Sequence, residues 1–162
     1  MPRKKTKSLQ RDIKPDRKYE SELVSRLINK VMVGGKKSTA EKIVYDAMEI
    51  AAKKLKSDDP LEVLNKALGN IYPSSEIKSR RVGGANYQIP FEVKGNRRTH
   101  LALMWLVTSV RAKRSGMGKS TAEAMAAELV DAYGGAGIAV KKKEDTHKMA
   151  EANRAFAHFA RY

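Results

Sequence analysis

The chain has 162 residues, the length of a single domain, and a domain of this size buries roughly 70% of its unfolded surface on folding. Its 33 Lys and Arg against 18 Asp and Glu leave a net charge of +15, which favours a polyanionic partner, nucleic acid above all. Because the chain contains no cysteine, its composition excludes disulfides, thiolate metal sites and a cysteine nucleophile.

The first 18 residues are basic and almost free of apolar side chains. They carry eight Lys and Arg against Asp12 and Asp16. This composition predicts a flexible arm, residues 1–18, that becomes ordered on a polyanion. The arm also lacks the apolar core of a secretion signal, and no later stretch has the run of about 18 apolar residues that a membrane span needs. We therefore expect no membrane partner, and we expect the protein to stay in the compartment where it is made.

Three helices are predicted next, from apolar residues at helical spacing. The first lies in "SELVSRLINKV" and ends at the glycine pair that follows. The second, "KKSTAEKIVYDAMEIAAKKL", opens with Ser38 and Glu41 at the spacing of a capping box. The third has Asp59 as its predicted N-cap and Pro60 at its first position.

The stretch "IKSRRVGGANYQIP" has no helical period and predicts a β-ribbon at about residues 75–93. Residues alternate up to Gly83-Gly84 and alternate again afterwards, as in two strands joined by a two-residue turn. That turn predicts four pairs on one face, Val82 with Ala85, Arg80 with Tyr87, Lys78 with Ile89 and Glu76 with Phe91. Neither face is apolar enough to pack fully on a core, so we expect support from outside the bundle, for which RNA is suited. The alternative is a ribbon that only decorates the bundle.

Three further helices follow the ribbon. Asn96 is the predicted N-cap of the fourth, "RRTHLALMWLVTSVRAKR", whose centre is apolar almost all round, with Trp105 as a core anchor. Ser120 and Glu123 have the capping-box spacing at the start of the fifth. The sixth is predicted from about Val140 to Phe159.

The order of these elements predicts the fold class. It is all-α, a bundle of six helices with one projecting two-stranded β-hairpin between the third and fourth helices. Residues 19–162 are expected to form one helical domain behind the arm, and the sequence contains no internal repeat.

Two clusters of basic residues are candidate phosphate clamps. The first, at the end of the fourth helix and in the loop after it, contains no acid and comprises Arg111, Lys113, Arg114 and Lys119. The second is Lys36 and Lys37, directly before a helix whose free backbone N–H groups also favour phosphate. Scattered lysines such as Lys53 and Lys54 are expected only to be solvated.

Signals for an enzyme are weak. The segment "SGMGKST" ends like a phosphate-binding loop, but Lys113 stands where that pattern needs glycine, and a helix precedes it where the pattern needs a strand. His147, Glu151 and His158 lie within about one helix face, but no second cluster completes a metal site. We therefore predict no catalysis, no cofactor, no metal and no small-molecule substrate.

Several blocks together resemble the small-subunit ribosomal protein S-seven family, universal uS-seven, in its bacterial or organellar form. They are "INKVMVGGKKSTAEKIVYDAME", "DPLEVLNKAL", "KSRRVGGANYQIPFEV" and "AVKKKEDTHKMAEANRAFAHF". The resemblance covers nearly the whole chain and departs at the loop from Arg114 to Lys119 and at the final "ARY".

The resemblance implies a structural constituent of the ribosome, in the cytoplasm or in an organelle. Such a protein binds the 3′ major domain of the small-subunit ribosomal RNA as a primary binder and nucleates assembly of the subunit's head. Its ribbon and last helix would lie towards the exit-site transfer RNA, the decoding region and the messenger RNA path, beside ribosomal proteins eleven and nine.

The resemblance and the basic clusters together define the candidate site residues. Those for ribosomal RNA are Arg3, Lys4, Lys5, Lys7, Lys36, Lys37, Arg97, Arg98, Arg111, Lys113, Arg114 and Lys119. Those of the ribbon, facing transfer RNA, are Lys78, Arg80, Arg81, Gly83, Gly84, Asn86 and Tyr87. Those that would face the platform are Lys141, Lys142 and Lys143.

Two other functions stay open from the residues alone. A basic helical domain with a β-ribbon also suits a sequence-specific DNA-binding regulator that enters a major groove. Such a regulator normally has a self-complementary dimer surface, but the predicted core uses all the apolar stripes of the helices, which leaves none to form a dimer surface. A nucleotide-hydrolysing enzyme is the third possibility.

Overall fold

The structure, a computed structural model, describes residues 12–118 and 120–161. Within these ranges the order of elements agrees with the predicted fold class. The elements are α1 (Glu22–Val31), α2 (Lys37–Leu55), α3 (Pro60–Ile71), β1 (Ser75–Val82), β2 (Ala85–Glu92), α4 (Gly95–Met117), α5 (Thr121–Tyr133), α6 (Ile138–Ala152) and a C-terminal 3₁₀ helix (Arg154–Arg161). The six-helix bundle with one antiparallel hairpin between α3 and α4 is confirmed.

An apolar core lies between the helices. Met48 of α2, Leu68 of α3, Leu106 of α4 and Leu129 of α5 are all fully buried. Helix α5 packs against α2, α3 and α4 and so occupies the middle of the bundle. Trp105 lies in this core, as predicted. No helix in the described ranges has the length and apolar character that crossing a bilayer requires.

Two predicted helix starts are confirmed. The Asp59 carboxylate accepts a hydrogen bond from the Leu61 N–H at 2.8 Å, one residue after Pro60 opens α3. The Ser120 hydroxyl accepts from the Glu123 N–H at 3.2 Å, and the Glu123 carboxylate accepts from the Ser120 N–H at 3.1 Å. This reciprocal capping box explains the "GKST" segment as the start of α5.

Two other predicted helix starts are wrong. Helix α2 begins at Lys37, ahead of Ser38, because backbone hydrogen bonds of the glycine turn lead directly into it, and no side chain caps it. Helix α4 begins at Gly95, whose positive φ of 54° turns the chain from the strand into the helix. Asn96 is therefore no cap, and its side-chain oxygen accepts from Arg26 at 3.1 Å.

The predicted sixth helix is two elements. Helix α6 ends at Ala152, and both the backbone N–H and the side-chain amide of Asn153 donate to the Met149 carbonyl, at 3.1 and 2.8 Å. Asn side chains that bond nearby backbone groups compete with helical hydrogen bonds and so favour a turn. The chain then continues as the 3₁₀ helix, which contains Phe156 and Phe159.

The chain is fixed to the bundle from Asp16 onward. The buried Asp16 carboxylate accepts hydrogen bonds from the N–H groups of Lys18, Tyr19 and Ser21 and from the Tyr45 hydroxyl, at 2.9 to 3.1 Å. Burial raises the pKa of Asp16, but these four donors outweigh it and hold the pKa below its usual range. Residues 16–18, assigned above to the arm, therefore belong to the folded domain. Residues 1–11 of the predicted arm lie outside the described residues.

Candidate nucleic-acid interface

The ribbon has the predicted register. The four predicted pairs, Val82–Ala85, Arg80–Tyr87, Lys78–Ile89 and Glu76–Phe91, all form. Gly83 and Gly84 adopt φ values of 58° and 90°, and two adjacent positive φ angles are what a tight two-residue hairpin turn requires. At the end of the ribbon Arg81, both glycines and Asn86 are exposed.

Cations surround Phe91 at the base of the ribbon. The Lys78 ammonium and the Arg80 guanidinium lie 5.2 and 5.3 Å from the centre of the Phe91 ring. Glu76 is buried here and forms ion pairs with Lys78 at 3.0 Å and Arg97 at 2.8 Å. Burial raises the pKa of Glu76, but the hydrogen bonds from Arg97 and Lys78 outweigh it, so the net pKa is lowered.

The ribbon is supported from within the chain, so the expectation that its support must come from outside is wrong. Tyr87 packs against Phe156 and Phe159 of the 3₁₀ helix, with ring centroids 5.3 and 5.2 Å apart. Ile89 is fully buried, and helix α6 contacts strand β1. Tyr87, one of the candidate residues facing transfer RNA, is thus half-buried against the two phenylalanine rings. The sequence did contain the signal, since Phe156 and Phe159 are an apolar pair at helical spacing.

The two predicted phosphate clamps meet in one groove between α1, α2, α4 and α5. Lys36, at the start of α2, and Arg111 and Arg114, in the last turns of α4, all line it and are exposed. Among the residues that the structure describes, none that lines it is acidic. We call this feature the basic groove. Lys37 is exposed beside it, with its ammonium 4.0 Å from the Glu41 carboxylate.

Lys113 does not belong to the basic groove. Its ammonium lies 2.6 Å from the fully buried Glu128 carboxylate and also forms an ion pair with Asp131. The other Glu128 oxygen accepts from the Ala139 N–H at 2.8 Å. Burial lowers the pKa of Lys113, but hydrogen bonds to Asp131 and Glu128 outweigh it and raise the net pKa. Lys113 is thus a structural residue, which corrects its assignment as a phosphate clamp.

The remaining basic residues predicted to bind RNA or to face the platform differ in their exposure and in their contacts within the chain. Arg97 pairs with Glu76 as described, and the Arg98 guanidinium lies 5.1 Å from the centre of the Tyr72 ring. Lys141 and Lys142 are exposed, whereas Lys143 is half-buried and donates to the Asn70 carbonyl at 2.7 Å, which limits its use at a platform. Lys119 and the arm residues Arg3, Lys4, Lys5 and Lys7 lie outside the described residues.

The histidine cluster considered as a metal site has other contacts. His147 Nε2 accepts from the Ser74 N–H at 3.0 Å and so joins α6 to the start of β1. Burial lowers the pKa of His147, and nearby Lys143 lowers it further. Across residues 12–118 and 120–161 no group of three His, Asp or Glu side chains could hold a metal ion.

A helical bundle with a braced, projecting ribbon and a basic groove has the features of the small basic proteins that bind nucleic acid. Comparison of the sequence with known proteins agrees. A sequence model of the family described as Ribosomal protein S7p/S5e matches residues 2–154. Relatives described as "Small ribosomal subunit protein uS7" include one from Chloroflexus aggregans, 56% identical over 93% of this chain and 94% of the relative. Those from Kosmotoga olearia and Corynebacterium glutamicum are 51% and 53% identical, each over 96% of this chain and 98% of the relative.

The chain therefore belongs to the Ribosomal protein S7p/S5e family. This confirms the family resemblance read from the sequence. Because the relatives are ribosomal proteins of the small subunit, the chain is a component of the ribosome and not an enzyme.

Proposed function

We propose that the protein binds the 3′ major domain of the small-subunit ribosomal RNA and, by ordering it early, nucleates assembly of the subunit's head. The basic groove carries this proposal. It brings Lys36, directly before α2, together with Arg111 and Arg114 of α4, although some 75 residues separate the two clusters in sequence. Three exposed cations on one concave surface attract the phosphate backbone of a folded RNA more strongly than cations scattered over the protein surface.

The chemistry of the rim favours phosphate in particular. Each arginine offers a planar fork of N–H donors that matches two phosphate oxygens, and Lys36 adds a compact charge. Because no acid is among the described residues that line the groove, no lining carboxylate from this part of the chain competes with phosphate for these cations. The net charge of +15 supplies the long-range attraction that brings RNA to this surface.

The ribbon and helix α6 are the second part of the proposal. We assign to the ribbon, with Arg80 beside Phe91 and Arg81 at the exposed end, a place towards the exit-site transfer RNA and the messenger RNA path. The packing of Tyr87 against Phe156 and Phe159 of the 3₁₀ helix supports this assignment, because a ribbon held in one direction loses less conformational entropy on binding. Lys141 and Lys142, exposed at the start of α6, would face the platform beside ribosomal proteins eleven and nine.

Competitive binding tests the proposal. The affinity of the protein should be measured at moderate salt for a 3′ major domain fragment, for another small-subunit RNA fragment of equal length, and for a random duplex DNA. We expect clear preference for the first fragment. Preference for DNA would support the DNA-binding regulator instead, and equal affinity for all three would reduce the function to unspecific charge attraction.

A further inference from the structure

We propose that the basic groove takes one unpaired nucleobase of the bound RNA, drawn out of its stack, while Lys36, Arg111 and Arg114 hold the neighbouring phosphates. The inference rests on the proposed function, since it names the RNA element that the same groove would receive. It follows from what lies below the charged rim.

Below the charged rim the groove is lined mostly by apolar side chains. Val33 is exposed in this lining and Val31, Met32 and Ile43 are half-buried, so they present apolar surface to an occupant, while the fully buried Met125 lies beneath that surface. Phosphate is strongly hydrated and makes no favourable contact with such a surface. A wholly apolar occupant would make no ion pair or hydrogen bond with the three cations at the rim. A nucleotide has both parts, a flat ring that prefers to leave water and a phosphate on each side of it.

The size of the groove suits one ring system. Its volume is about 200 Å³. An apolar cavity of about 150 Å³ in another protein holds a single benzene ring. This volume therefore suits a single base from a bulge, loop or junction, the kind of RNA element that proteins read by taking up splayed bases.

The rim is arranged for a strand that passes over the groove. Arg111 and Arg114 are three residues apart on α4 and share one face of it, while Lys36 stands at the start of α2. A base inserted between these two helices leaves one flanking phosphate near each helix. The guanidinium planes of the arginines can also stack on the base itself.

Filling the groove without changing its charge tests the inference. Thr39 is exposed and lines the groove, whereas Ser38 is exposed and does not line it. Thr39→Phe should lower affinity for the 3′ major domain fragment by between about fivefold and a hundredfold, the range for one stacked base. The dependence on salt should stay the same, because the number of neutralised phosphates is unchanged. Ser38→Phe, the matched control, should bind like the unaltered protein.

A second measurement needs no variant. Fragments with the fluorescent base 2-aminopurine at successive unpaired positions should show one position whose emission changes on binding, and Thr39→Phe should abolish that change. Equal affinity of the two phenylalanine variants, or no responding position, would overturn the inference. If a nucleoside monophosphate bound the groove as tightly as the fragment does, the groove would be a site for a free nucleotide, and the inference would also be overturned.

Failure of this inference is distinguishable from failure of the proposed function. If the protein binds the fragment, and Arg111→Ala and Arg114→Ala each flatten the salt dependence while Thr39→Phe has no effect, only the base is wrongly assigned. If the unaltered protein shows no preference for the fragment, the proposed function itself fails.

Discussion

Tyr87 of the ribbon and Phe156 of the C-terminal 3₁₀ helix pack with their ring centroids 5.3 Å apart, at an angle of 56° between the rings. An isolated two-stranded ribbon is only marginally stable in water, so this contact stabilises the ribbon. The 3₁₀ helix, the last described element of the chain, thereby fixes the direction of the ribbon in the free protein.

Removal of this brace should loosen the ribbon alone. Phe156→Ala should lower the free energy of local opening of the ribbon by about 0.5–1.5 kcal/mol, the typical strength of an aromatic pair. Amide hydrogen exchange of β1 and β2 should rise while that of α2 and α5 stays unchanged. Ala157→Ser, at an exposed neighbouring position, is the control. Faster exchange throughout the bundle would show that the 3₁₀ helix supports the whole domain and not the ribbon.

Lys113 should behave as a structural residue. Lys113→Met leaves the buried Glu128 carboxylate without its ion-pair partner and should lower the free energy of unfolding by about 3–5 kcal/mol. Arg111→Ala, at an exposed position of the same helix, should change it by about 0.5 kcal/mol or less. Urea unfolding measures both. Adding Glu128→Gln to Lys113→Met should recover much of the stability, and a double variant as unstable as the single one would contradict the account.

Stability should decrease in mildly acidic solution through His147. Its Nε2 must be unprotonated to accept the Ser74 N–H, and its pKa in the fold lies below the ordinary value of about 6.5. A group with a depressed pKa stabilises the fold above its unfolded value and loses that contribution as pH falls through the folded value. His100, whose pKa burial and the nearby Lys30 and Arg97 also lower, should act in the same sense.

Urea unfolding at a series of pH values below about 6.5 tests this. His147→Gln should remove part of the decrease in unfolding free energy, and adding His100→Gln should remove most of the rest. The carboxylates of Asp16 and Glu76 titrate only at lower pH, since their pKa values are depressed. A double variant with an unchanged pH dependence would mean that other groups are responsible.

Two truncations should separate the arm from the domain. Deletion of residues 1–11 removes Arg3, Lys4, Lys5, Lys7 and Arg11 and should flatten the log–log salt dependence of RNA binding by about 0.7–0.9 for each phosphate that the arm had neutralised. Its effect on unfolding should be small. Deletion of residues 1–18 should also destabilise the domain, because it removes the Asp16 carboxylate and its four hydrogen bonds. An unchanged salt dependence in the shorter deletion would show that the arm contacts no RNA.

Local signals in the sequence predicted much of the fold. The register of the ribbon follows from Gly83-Gly84, because a two-residue turn leaves only one pairing. The start of α3 follows from Asp59 and Pro60, and that of α5 from Ser120 and Glu123. Where a turn before the helix competed, as at Ser38 and Asn96, the same reasoning failed, because backbone hydrogen bonds and a positive φ set the start instead.

Features that depend on distant contacts were beyond the reach of sequence patterns. Lys113 stands among cations in sequence, and its two acidic partners come from the next helix. An acid on the apolar face of α5, Glu128, was the available hint. Likewise, no spacing rule connects Lys36 with Arg111 and Arg114, which meet only because α2 and α4 pack around the same groove.

The basic groove, and not net charge alone, is proposed to hold the ribosomal RNA. The direct measurement compares two triple variants of equal charge for affinity to the 3′ major domain fragment: Lys36, Arg111 and Arg114 to alanine, and the exposed Lys42, Lys53 and Lys54 to alanine. We expect the groove variant to bind at least about tenfold more weakly than the α2 variant, with a salt dependence flatter by about two to three units. An equal decrease of affinity in the two variants would contradict the account.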